Sequence, residues 1–111
     1  MTPVRVGLVG AGYVSEVHVR ALGRPPQVRI VGIPDLRGAR ARAVGEQFGL
    51  AVHPSLATMA AAGLDVVHVL TPPESHTAVA LEALAHGCHV LVEKPLATTV
   101  GDCDRLAAES A

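Results

Sequence analysis

The chain is 111 residues long, enough for one domain with its own core and no more. Nine lysines and arginines against ten acidic residues leave a net charge of -1, which excludes the basic surplus expected of a nucleic-acid phosphate binder. Half the residues are hydrophobic, yet Tyr13 and Phe48 are the only aromatics, so the core must be Val, Leu, Ile and Ala, a composition suited to helices on a buried parallel sheet.

Val4 to Val9 is a short apolar run, interrupted by Arg5 and Gly7 and ending in glycines, and it reads as a first strand. From Tyr13 to Leu22 the period becomes helical, with Val14, Val17, Ala21 and Leu22 on one face. Pro25 and Pro26 stop this helix. Val28 to Ile33 reads as a second strand ended by Pro34. Leu36 to Phe48 reads as a helix that buries Ala41, Val44 and Phe48 and closes at Gly49.

A minimal strand at Ala51 to His53 and a short helix at Ser55 to Ala62 come next. Val66 to Leu70 is a buried strand ending at Thr71-Pro72-Pro73, and Ser75 is placed to cap a helix that runs to His86 and stops at Gly87. His89 to Val92 is a further strand ending at Glu93-Lys94-Pro95. Thr99 to Asp102 has capping-box spacing and opens a last helix.

Cys88 and Cys103 make no disulfide framework, and Cys103, at helical spacing with Val100 and Leu106, is expected to pack as a small apolar residue. No apolar stretch reaches the roughly 20 residues of a membrane span. Met1-Thr2-Pro3 leads directly into a strand-like run, so a cytoplasmic location with no membrane association is expected. Arg37, Arg40 and Arg42 read as a solvated helix face.

Strands alternating with helices imply a doubly wound parallel sheet of the Rossmann type, with right-handed crossovers. Ligands of such sheets sit outside the carboxyl ends of the strands. Gly10-Ala11-Gly12, Asp35, Thr71-Pro72-Pro73 and Glu93-Lys94-Pro95 all follow strands and are expected to open onto one sheet edge.

The first segment matches a dinucleotide fingerprint. Gly10 allows the tight turn and Gly12 lets the backbone approach a pyrophosphate. The N–H groups of the helix opening at Tyr13 and Val14 point at the phosphates. Ser15 stands at the third small position, with a hydroxyl that could add a phosphate contact. Asp35 follows Gly12 by about 20 residues, where an acid binds the adenosine ribose hydroxyls and disfavours the phosphate of NADP. Arg37 nearby works against that preference, so NAD is expected with NADP possible.

Thr71 can donate to a ribose or phosphate oxygen, and His76 falls in the first turn of the following helix, as a ligand contact or a locally bonded histidine. Lys94, at a strand's carboxyl end, can bond a substrate hydroxyl and help move its proton; a salt bridge with Glu93 is disfavoured because strand neighbours point to opposite faces. His18, His53, His68, His86 and His89 show no metal-ligand spacing and read as structural.

Together Val6-Gly7-Leu8-Val9-Gly10-Ala11-Gly12, then Thr71-Pro72-Pro73 with His76, then His89 to Ala97 with Glu93-Lys94-Pro95, resemble the glucose–fructose oxidoreductase/inositol dehydrogenase (Gfo/Idh/MocA) family over essentially the whole chain. The resemblance implies an NAD(P)-dependent oxidoreductase acting on sugars, cyclitols and related polyols, oligomeric at full length. It implies that Gly10, Gly12, Asp35, Thr71, Pro73, His76 and Glu93 line the cofactor cleft, that Lys94 is the catalytic lysine, and that the peptide bond before Pro95 is cis. It also implies one more strand and a second, substrate-binding domain, neither present in residues 1–111. Two other readings stand beside it: a non-enzymatic NAD-binding module and an inactive fragment.

Overall fold

The computed structural model describes residues 2–34 and 39–111. Among these, β1 (Val4–Val9), β2 (Val28–Pro34), β3 (Val52–His53), β4 (Val66–Val69) and β5 (His89–Val92) form a sheet in the order β3-β2-β1-β4-β5, every pair parallel. The helices are α1 (Tyr13–Leu22), α2 (Ala39–Phe48), α3 (Leu56–Ala61), α4 (His76–Ala85) and α5 (Val100–Ser110), with a single 3-10 turn at Pro73–Ser75 before α4. The order reverses between β1 and β4. The chain builds outward through β2 and β3, then returns to the other side of β1, so a crevice opens between the carboxyl ends of β1 and β4.

Alternation along the strands divides the core. Val6 and Leu8 face α1 with Val19 and Leu22, whereas Val9, Val67 and Val69 face Leu56 and Met59 of α3, Ala80 and Ala83 of α4 and Leu106 of α5. Ile33, Ala41 and Val44 form a third cluster under α2, next to Phe48. At the amino end of the sheet the Arg5 guanidinium meets both oxygens of Asp65, at 3.1 and 3.2 Å, and holds that carboxyl below the usual carboxylate range. Thr99 caps α5 by accepting the Asp102 N–H, as the spacing requires. Gly87, at φ +79, closes α4: the Cys88 N–H reaches the Ala83 carbonyl and the Gly87 N–H the Leu84 carbonyl, a Schellman ending that feeds β5.

Three sequence expectations need correction. Val14, Val17 and Ala21 do not form the inner face of α1; Val14 and Val17 are exposed, and the inner stripe is Ser15, Val19 and Leu22. Close helix–strand packing after the glycine loop favours a small residue at this position, and Ser15 faces inward, fully buried. Ser75 does not cap α4, because its hydroxyl donates to the Pro72 carbonyl inside the 3-10 turn. Val100 is exposed, so Cys103 shares the inner face of α5 with Leu106 alone, and is itself only half-buried. No described helix is long and apolar enough to cross a membrane.

Candidate functional site

A cavity of about 800 Å³ lies over the carboxyl ends of the strands. Gly10, Ala11 and Gly12 from the β1–α1 loop, Pro34 at the end of β2, Arg40 of α2 and Thr71 and Pro72 after β4 meet around it. Gly10 has φ +118, and a Cβ there would stand 2.6 Å from the carbonyl carbon and oxygen of Leu70, so only glycine lets the β1 loop pass the end of β4 this closely. Gly12 is different: a Cβ on it would meet nothing within 4 Å, so its missing side chain leaves open space at the cavity wall.

Gly12 is also the residue before α1, and no side chain caps this helix end. The first-turn N–H groups of Tyr13 and Val14 therefore keep their bonding capacity, and the helix dipole adds positive potential there. The Ser15 hydroxyl is committed elsewhere: it is fully buried and donates to the Gly12 carbonyl at 2.6 Å, so it stiffens the turn and adds no ligand contact. Arg40 stays exposed, as expected of a solvated face, and in addition its Nε and one Nη donate to the Ala11 carbonyl at 3.2 and 3.0 Å, bringing a cation to the cavity wall. Asp35 and Arg37 lie outside the described residues.

Thr71 Oγ1 is buried with no hydrogen-bond partner among the described residues, a cost a native structure seldom leaves uncompensated. Thr71 lines the cavity with its hydroxyl oxygen beneath the surface, and the uncapped helix end and open glycine beside it suit an anionic ligand lying across the carboxyl ends of β1 and β4. The wall next to it is Pro72. Pro73 follows at the start of the 3-10 turn and is exposed, between Pro72 and Glu74 of the cavity wall.

His76 does not line the cavity. Its ring is buried, with Nδ1 2.7 Å from the Pro95 carbonyl and Nε2 2.7 Å from the Thr71 carbonyl. Both nitrogens face carbonyl oxygens, and a ring with a single N–H donates to one of them, so the ring packs between the loop after β4 and the turn after β5 and is bonded to one of the two.

Glu93 and Lys94 sit on the adjoining strand end. The Glu93 N–H donates to the Val69 carbonyl at 3.0 Å, which carries the ladder between β4 and β5 up to the turn. The Lys94–Pro95 bond is cis, as the resemblance implies. Lys94 is exposed and makes no ion pair among the described residues; the Glu93 carboxylate turns away from it, to His18 Nε2 at 3.3 Å.

That contact was invisible in the sequence. His18 of α1 is also bonded through Nδ1 to Nδ1 of His68 in β4, at 2.8 Å, with the rings perpendicular. Burial holds the His68 pKa below the ordinary imidazole value, and the neighbouring His18 adds to the shift. Strand parity was the available signal: His68 shares its face of β4 with Val66, the face α1 covers. The described residues contain no cluster of three or more potential metal ligands.

Residues 4–111 match the family model described as the oxidoreductase family, NAD-binding Rossmann fold (Gfo/Idh/MocA). Inositol 2-dehydrogenase 1 of Saccharopolyspora erythraea is 39% identical over 109 residues, which cover 95% of this chain and 32% of that protein. Among solved structures, GenD2 from gentamicin A biosynthesis in complex with NAD superposes with a TM-score of 0.92 at 31% identity, covering 99% of this chain and 32% of that one. The WlbA dehydrogenase from Bordetella pertussis, in complex with NADH and UDP-GlcNAcA, gives a TM-score of 0.89 at 32% identity, over 97% of this chain and 34% of that one. The chain thus spans about a third of the length of the relatives it matches.

Proposed function

The chain belongs to the Gfo/Idh/MocA oxidoreductase family through its NAD-binding Rossmann domain, and from that premise we propose that it holds NAD for a dehydrogenase of sugars, cyclitols or related polyols. The observation that carries the reading is the convergence of an uncapped helix end, the open Gly12 and Thr71 at the end of β4 on one cavity. The N–H groups of Tyr13 and Val14 bond the pyrophosphate, and the Gly12 backbone lies against it. Thr71 donates to a ribose or phosphate oxygen. Asp35, following β2, accepts from the adenosine ribose and favours NAD over NADP. Pro73 lines the cleft on the loop that carries Thr71, and the buried His76 acts indirectly, through that loop.

When bound, the nicotinamide supplies a hydride acceptor for the substrate's carbinol carbon. The protein's own task is then the hydroxyl. Lys94 Nζ, beyond the end of β5, hydrogen-bonds the substrate oxygen and takes up or returns its proton as the C–H bond breaks or forms. The remainder of the substrate site, a cytoplasmic location and a homo-oligomeric assembly belong to the same proposal, on the strength of the family.

In the full-length enzyme Lys94→Ala should lower turnover by about 10²- to 10⁴-fold, the scale of a lost acid–base group. NADH affinity should hold, since the pyrophosphate and adenosine contacts lie elsewhere. Near-parental turnover would reduce Lys94 to a surface charge. Calorimetry should also show NAD bound more tightly than NADP, with Asp35→Ser narrowing the gap; equal affinities in the parent would remove Asp35 from the role of discriminator.

A further inference from the structure

Beyond the cavity, three side chains from distant parts of the chain form one run of hydrogen bonds on the α1 face of the sheet. His68 in β4, His18 in α1 and Glu93 after β5 are joined by contacts of 2.8 and 3.3 Å. We propose that His18 is a positioning residue: held by His68 on one side, its ring sets the direction of the Glu93 carboxylate at the end of β5, and so the seating of the nicotinamide half of the dinucleotide. This rests on the dinucleotide reading above.

The proton inventory supports the assignment. With both rings neutral, one arrangement satisfies both contacts: His68 Nδ1–H donates to His18 Nδ1, leaving His18 Nε2–H to donate to Glu93. The reverse arrangement would put a bare His18 Nε2 lone pair against a carboxylate. If His18 carries a second proton it donates to both partners, with His68 Nδ1 accepting. In either state His18 gives a hydrogen to Glu93, and His68 decides the plane of the ring that does so.

The strand itself does not need this contact. The Glu93 N–H is already held by Val69. The Glu93 side chain is 37% exposed and the His18 side chain 17%, so without His18 the carboxylate is free to turn into solvent while its backbone stays in place. The nicotinamide end is the half concerned because of the sheet order. With the pyrophosphate at the β1 loop and the adenosine toward the end of β2, the other half of the molecule runs toward β4 and β5.

The test compares NADH with ADP, which keeps the adenosine and pyrophosphate and lacks the nicotinamide and its ribose, by titrating the full-length parent, His18→Ala, His18→Gln, Glu93→Ala and the double alanine variant. His18→Ala should lose about three- to tenfold in NADH affinity, the scale of a partly exposed hydrogen bond to a charged group, with ADP affinity unchanged. His18→Gln, whose amide can still donate to Glu93, should recover most of the loss. The double variant should be no weaker than Glu93→Ala alone, the signature of two residues acting in series. Equal losses for both ligands, additive effects in the double variant, or parental NADH affinity in His18→Ala would each overturn the inference. Should His18→Ala not fold, a His18→Gln protein as weak for NADH as Glu93→Ala overturns it, and near-parental affinity supports it. A parent that binds neither ligand overturns the dinucleotide reading and this inference together; a parent that binds both leaves the first standing whichever way His18 behaves.

Discussion

Gly10 and Gly12 stand two residues apart in one motif, yet the structure gives alanine at each a different consequence. At Gly10 the φ of +118 is one an L side chain rarely adopts, and a Cβ would sit 2.6 Å from Leu70 C and O and 2.9 Å from Thr71 N. These are backbone atoms, and the Leu70 N–H is bonded to the Val9 carbonyl at 2.7 Å, so the obstacle cannot turn aside without opening the β1–β4 ladder. The backbone angle costs about 1–3 kcal/mol and the overlap about as much again. A total of about 4 kcal/mol is a large share of the 5–15 kcal/mol that holds a typical domain, and should lower Tm on the order of 15 °C.

At Gly12, φ is −85 and ψ −171, extended backbone open to any residue, and a Cβ meets nothing within 4 Å. Gly12→Ala should therefore leave stability within about 0.5 kcal/mol of the parent. The methyl would, however, stand where a pyrophosphate must approach, and NADH affinity should fall at least about tenfold, or about 1.4 kcal/mol. Thermal unfolding and NADH titration of both variants give the four numbers needed. Gly12→Ala with parental affinity would refute the placement of the phosphates, and Gly10→Ala with a parental Tm would refute the close approach.

Thr71→Val removes a buried hydroxyl that has no partner and replaces it with a methyl of similar shape. Stability should hold or rise by up to about 1 kcal/mol while NADH affinity drops; a loss of stability with unchanged affinity would show that the hydroxyl serves the fold. His68 should give a pH signature. Its pKa in the folded state lies below the unfolded value near 6.5, for burial first and the His18 charge second. The unfolded chain thus binds the proton more readily, and stability present above pH ~6.5 is lost as pH falls from there toward the folded pKa. Urea midpoints measured from pH 8 to 5 should fall less steeply in His68→Leu than in the parent; parallel slopes would mean that other groups set the dependence.

Local pattern was enough for the elements that contribute to the cleft. The apolar run Val4–Val9 meeting glycine, the change of period at Tyr13 and the capping spacing of Thr99 each act within a few residues, so the sequence locates β1, α1 and the start of α5 directly. The parallel alternation then implies that the glycine loop, Thr71 and Lys94 share one sheet edge. What failed was the choice of face on α1. Hydrophobicity favoured Val14 and Val17, whereas the close crossing of helix and sheet selects for size, and the small Ser15 goes inside.

The sequence by itself determined the fold class, the glycine turn and the order of motifs along the sheet edge, because those depend on backbone conformation and on strand and helix period, which short segments carry. Tertiary structure alone decided which side chains meet. His18, His68 and Glu93 are separated by 50 and 25 residues in the chain, His76 lies between two loops that follow different strands, and Arg40, on an exposed helix face, reaches the Ala11 carbonyl. Each of these depends on sheet order and strand register, and a hydrogen bond requires an approach within about 3 Å. No spacing in the sequence encodes that distance; it appears only when β1 and β4 are packed side by side under α1.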